Sequence, residues 1–88
     1  MCTTISESLA VRGAGRGTSG WFPLANATVG FDHASHTGAE HALLLDFHNY
    51  DLGTGARLAV ELDLASGKAL VEKLTAAIAA AEATGLRE

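Results

Sequence analysis

Four stretches of this chain alternate hydrophobic and polar residues at a period of two, and the last quarter switches to a period near 3.6. Residues 3–11 place Ile5, Leu9 and Val11 on one parity, with Glu7 the exception, which reads as a strand. Residues 26–31 put Ala27, Val29 and Phe31 on one side of a second strand. Residues 41–48 carry Leu43, Leu45 and Phe47 on one face and Ala42, Leu44, Asp46 and His48 on the other. Apolar residues on both faces predict a central strand. Residues 57–62 alternate most cleanly, with Leu58, Val60 and Leu62 inward and Ala59 and Glu61 outward.

From Asp63 onward Leu64, Gly67, Leu70, Val71, Leu74, Ile78 and Ala81 recur at intervals of three and four, one stripe of a helix. Asp63 suits the N-cap, where its carboxylate accepts a free helical N–H, and Gly85 suits a left-handed stop. About twenty helical residues span ~30 Å, enough to cross a four-stranded sheet. The pattern therefore predicts an α+β fold over residues 1–88 as a single domain. It is a four-stranded antiparallel meander, β-β-β-β-α, with one long C-terminal helix across one face.

The connections are glycine-rich. Arg12–Gly20 holds four glycines in nine residues, which should end any regular element and leave a flexible or bulged β-connection. An anion cradle is the alternative, because glycines let N–H groups approach a phosphate. The G-x-G-x-x-G spacing is missed, however, since position 18 is Thr18, and Trp21-Phe22-Pro23 follows where a helix should open. Trp21 and Phe22 should pack over one end of the core, and Pro23 belongs at an edge or a strand start. Gly30 inside the second strand suggests a bulge.

Composition narrows the classes. A chain of 88 residues with 48% hydrophobic and 18% charged content folds as a globular domain. Much of the apolar share is alanine, and a core this modest is often completed by self-association, here as a homodimer. The net charge is −4, and the six Lys and Arg are scattered, so there is no basic stripe for nucleic acid. No apolar run approaches the ~18–20 residues of a membrane helix. The start of the chain lacks the basic and apolar regions of a signal peptide, and one cysteine permits no internal disulfide. A cytoplasmic location is expected on these grounds, which makes the Asn26-Ala27-Thr28 sequon idle.

Candidate chemistry concentrates in Asp32–His48, which contains all four histidines. The spacing is His33-x-x-His36-x-x-x-x-His41, with Asp32 and Glu40 adjacent. Imidazoles and carboxylates are the ligands that Zn²⁺ and Fe²⁺ prefer, and a nearby carboxylate can fix a ligand's tautomer. The segment matches no H-E-x-x-H motif and has no cysteine pair. The plain alternative is that these rings serve as hydrogen-bond partners within a polar turn. A second possibility is metal-free acid–base chemistry. Asp46 and His48 share a face that Glu40 begins, and a carboxylate beside a histidine orients a general base. Otherwise Asp46 is tied to a cation such as Arg57. Cys2 offers a thiol to the histidine cluster, or an N-terminal amine and thiol together if Met1 is removed; its alternative role is a small buried hydrophobe.

M-C-T at the start, G-W-F-P-L, D-H-x-x-H-x-x-x-E-H-A-L-x-x-D-F and R-L-A-V-E-L together resemble a family of short actinobacterial proteins of unknown function. The resemblance spans nearly the whole chain, and Asp32, His33, His36, Glu40 and His41 are its most specific part. It implies small-molecule work in secondary metabolism and brings no established activity or cofactor.

Three functions follow. The first is a small metal-binding protein, extending to a metal-dependent enzyme on a small molecule. There His33, His36, His41 and Cys2 hold a divalent Zn or Fe, and Asp46 and Glu40 are catalytic. The second is a non-catalytic homo-oligomeric or partner-binding module, its helix approached closely at Gly67, Ala77 and Ala81. The third is a metal-free enzyme or binder of a small neutral or cationic molecule, using Asp46 with a histidine.

Overall fold

The computed structural model describes residues 5–88. Six strands and one helix follow in order: β1 Ile5–Ala10, β2 Ala14–Gly17, β3 Gly20–Pro23, β4 Asn26–His33, β5 His41–His48, β6 Arg57–Leu62 and α1 Leu64–Thr84. A single 3₁₀ turn, Tyr50–Leu52, lies between β5 and β6. The fold is α+β, with antiparallel sheets and one C-terminal helix.

The main sheet has the order β1-β4-β5-β6, with β5 central as its two-sided apolar pattern required. It is not the simple four-strand meander. The glycine-rich segment after β1 forms the β2–β3 hairpin, a separate two-stranded sheet. Glycine there gives close approach as well as freedom. A Cβ at Gly17 would run into the carbonyl oxygen of Gly55, and Phe22 packs 3.1 Å from the same position. Phe22 is buried, as expected, whereas Trp21 points outward at 71% exposure. Gly30 does not mark a bulge either, since its pairing with Ser6 and Leu44 runs unbroken. A Cβ there would lie 2.7 Å from the Ile5 carbonyl oxygen, so the glycine admits the neighbouring backbone.

Register sorts the side chains into two unlike faces, because successive residues of a strand point to opposite sides. One face carries the rows Ile5–Phe31–Leu43–Leu62, Glu7–Val29–Leu45–Val60 and Leu9–Ala27–Phe47–Leu58. The other carries Ser6–Gly30–Leu44–Glu61, Ser8–Thr28–Asp46–Ala59 and Ala10–Asn26–His48–Arg57.

The helix begins and ends where the caps predict. Asp63 is extended at φ −74° and ψ 165° and accepts the Ser66 N–H, and Gly85 is left-handed at φ 72°. It does not lie across the sheet. Only one residue, Asp63, separates β6 from α1, so the chain has no loop with which to turn back over the face. Gly67, in the first turn, is the helix's one buried residue among those described, so close to Leu43 that a Cβ would strike its methyl group. The molecule is accordingly long, 48 × 32 × 20 Å, with a radius of gyration of 14.9 Å. A compact chain of this length has about 12 Å. The buried apolar residues are Phe22, Ala27, Ala42 and Ala56, and among the described residues no large side chain is fully buried.

Gly17→Ala should destabilise the protein by about 1–3 kcal/mol, because the clash is with backbone. Gly38→Ala, with open space around it, should leave the midpoint of chemical denaturation unchanged. Equal midpoints for the two variants would refute the close packing of the hairpin.

Candidate functional site

The histidine segment forms the connection between β4 and β5, residues 34–40, and its conformation is set from a third strand. Glu61 on β6 extends its carboxylate to the loop. Oε2 accepts the Ser35 N–H at 3.0 Å and the Ser35 hydroxyl at 2.8 Å. Oε1 accepts the N–H groups of His36 at 2.9 Å and Thr37 at 3.0 Å. Three consecutive backbone donors converge on an anion in the manner of a nest. At the mouth of the loop the Ala34 N–H donates to the Glu40 carbonyl at 3.1 Å. The Ser35 N–H, the Ser35 hydroxyl and the His36 N–H favour the charged carboxylate, outweigh its partial burial, and hold the Glu61 pKa at about 2, from 4.5 ordinarily.

That grip orients His36. The one proton of the Ser35 hydroxyl goes to Glu61, so the contact of Ser35 Oγ with His36 Nδ1, at 2.8 Å, is donated by the ring. In the neutral imidazole this leaves the lone pair on Nε2. His36 is 87% exposed, and its Nδ1 stands 3.6 Å from Glu61 Oε2.

His33 and His41 are register partners at the end of the β4–β5 ladder. Their ring centroids lie 4.6 Å apart and tilted by 30°, and His41 also stacks on Phe31 at 5.8 Å. Alternation puts both on the apolar face, while the Glu61 carboxylate that carries His36 belongs to the polar face. The structure therefore pairs the His33 and His41 rings, while His36 is held through Ser35 and Glu61 and lines the same cleft as His33. Asp32 accepts the His33 N–H at 2.7 Å. Cys2 lies outside the described residues, and among those described no group of three or more His, Cys, Asp or Glu is arranged to hold a metal ion.

Asp46, proposed as a general base, is paired with Arg57, whose Nε donates to Oδ2 at 2.8 Å. The inner oxygen, Oδ1, is shut off from solvent without a partner. His48 is buried, stacks on Tyr50 at 4.1 Å, and places Nε2 3.5 Å from the Thr28 hydroxyl. Its Nδ1 is also unpartnered. Glu40 is exposed.

Glu61 is the residue that sequence reasoning missed. Alternation placed it outward, opposite Leu58, Val60 and Leu62; it does lie on the other face from them, but its carboxylate is largely covered by the loop and Leu58 is exposed. Only register shows that this side faces the histidine loop, across Leu44 of β5.

A family of unknown function, DUF6295, matches residues 1–87, and the chain belongs to it. No curated protein and no solved structure matches the chain.

Because folding lowers the Glu61 pKa, the loop contacts contribute stability above the ordinary carboxylate range and lose it as pH falls through about 2. Amide hydrogen exchange at Ser35, His36 and Thr37 should accelerate, relative to the sheet, as pH falls toward about 2 and Glu61 protonates. Glu61→Gln should show the same acceleration at neutral pH. Unchanged protection in that variant would show that the loop stands without Glu61.

Proposed function

We propose that this member of a family of unknown function is a self-associating module, in which two copies cover each other's apolar surface and present the polar sheet face outward. The observation that carries this is the uncovered helix. Val71, Leu74 and Ile78 are 61%, 53% and 57% exposed, and Leu64 and Leu70 are open as well. Leu64 lines an apolar depression with Ile5, Val29, Phe31 and Leu43 of the sheet, and Leu9 and Leu58 of the same sheet face are exposed as well. Monomeric proteins rarely leave contiguous apolar patches larger than a few hundred Å².

The stripe favours a second copy of this chain. Leu64, Gly67, Val71, Leu74, Ile78 and Ala81 are spaced alternately by three and four, the a and d positions of a heptad pattern. Gly67, Ala77 and Ala81 permit close backbone approach. Lys68 flanks one end of the stripe and Glu82 the other. An antiparallel partner places opposite charges at matching ends, whereas a parallel one pairs like with like.

Sedimentation of the untagged chain should give about twice the 9.0 kDa monomer mass. Leu74→Glu removes about 2 kcal/mol of burial per copy, about 4 kcal/mol for the pair, and should raise the dissociation constant by a factor on the order of a thousand. A wild-type monomer at concentrations near 100 μM (about a −5 kcal/mol threshold) would overturn the proposal.

The adjacent His33 and His41 rings support a second reading, the binding of Zn²⁺ or Fe²⁺ at that end of the sheet. On this reading Glu40 and Asp46 supply acid–base chemistry to a small molecule. Adding Zn²⁺ to the untagged protein should raise its melting temperature, and His41→Ala should abolish the rise. No shift in the wild type would remove this reading.

A further inference from the structure

The polar face of the sheet contains a cleft of about 700 Å³, within the ~300–1,000 Å³ typical of small-molecule sites. Its floor is made of small residues, Ser6, Thr28, Gly30 and Ala59, and Leu44 supplies an apolar wall. Two of the cross-strand rows on this face, Ser6–Gly30–Leu44–Glu61 and Ser8–Thr28–Asp46–Ala59, present few bulky groups, so the strands themselves leave the space open.

The charged groups of the cleft are Asp32, Asp46, Glu61 and Arg57, three carboxylates against one guanidinium. The field therefore attracts a cation. The carboxylates differ in what they offer. Both Glu61 oxygens are engaged by the loop, so Glu61 supplies charge and no further acceptor of consequence. Asp46 is incompletely satisfied. Arg57 reaches one oxygen through Nε alone, without the two-pronged geometry an arginine can give a carboxylate, and the other oxygen is buried and unpartnered. Arg57 itself is half exposed, which leaves it free to swing toward solvent.

We propose that this cleft binds a small organic cation, a primary or secondary amine on a short apolar body. Its ammonium group takes the place of the Arg57 contact and donates to Asp46. Its apolar body lies along Leu44 and Ala59. Glu61 and Asp32 hold the positive charge from a distance. Arg57, displaced outward, closes over the bound molecule's open side.

Nuclear magnetic resonance titration of the full chain at low ionic strength tests the proposal, with hexylammonium chloride and sodium hexanoate as probes. Hexylammonium should give saturable shifts centred on the amides of Thr28, Asp46 and Ala59, and hexanoate should leave them in place. Asp46→Asn should weaken hexylammonium binding at least about tenfold by removing a charge-assisted hydrogen bond. Ala59→Leu, which fills the floor and keeps every charge, should weaken it equally and decides the matter if the Asp46 variant fails to fold. Absence of shifts at those amides, an equal response to hexanoate, or undiminished binding by Ala59→Leu would each overturn the assignment.

Discussion

The register of β4 against β5 is the constraint from which the rest of this molecule follows. With Val29 opposite Leu45 and Thr28 opposite Asp46, the four strands of the main sheet gather most of their large apolar residues on one face, Glu7 excepted, and most of their polar residues on the other, where Leu44 is the exception. A slip of one residue would exchange the two sets on a whole strand. The same register brings His33 opposite His41 and sets the length of the loop between them. It also gives both faces a definite character, one apolar and incompletely covered, the other shallow, polar and acidic.

The second determinant is Glu61. Four donors converge on one carboxylate, so the loop after β4 is held by a residue 24 to 26 positions away in the chain. Its consequence is chemical as well as structural. The donors that stabilise Glu61 as an anion also orient the serine and the imidazole beside it. A loop rich in metal-ligand side chains is thereby drawn toward the polar face at its tip, while its two flanking histidines pair with each other at the end of the ladder.

Much of the architecture was legible from periodicity alone. The strands at residues 26–31, 41–48 and 57–62, the capped helix and the central position of β5 follow from which residues repeat at two and which at three and four. The β2–β3 hairpin was not legible, because Ala14–Gly17 is half glycine and presents no alternation; it is organised by close approach to Gly55 instead. The pairing of Asp46 with Arg57 was foreseen as one alternative, since a carboxylate on an apolar strand needs a cation. The grip of Glu61 was beyond sequence reasoning, because it depends on where β6 lies relative to a loop on the far side of β5. The resemblance to a family of unknown function held across the chain, without bringing a mechanism.

The position of the helix connects these observations. Asp63 ends β6 and caps α1 in the same residue, so the direction of the helix is set by the edge strand it leaves. An intervening loop of several residues would let α1 fold back over the rows headed by Ile5 and Leu9 and complete a monomeric core. The one-residue joint withholds that option, and the chain contains no other segment long and apolar enough to serve. Its largest apolar surfaces, the helix stripe and the sheet face, therefore remain open on the same molecule. On the proposed reading a second copy supplies what the joint denies. The polar cleft lies on the opposite side of the sheet and keeps its access to solvent whether one copy or two are present. Association and ligand binding are thus assigned to opposite faces of four strands, and a substitution on one face can be made without entering the other.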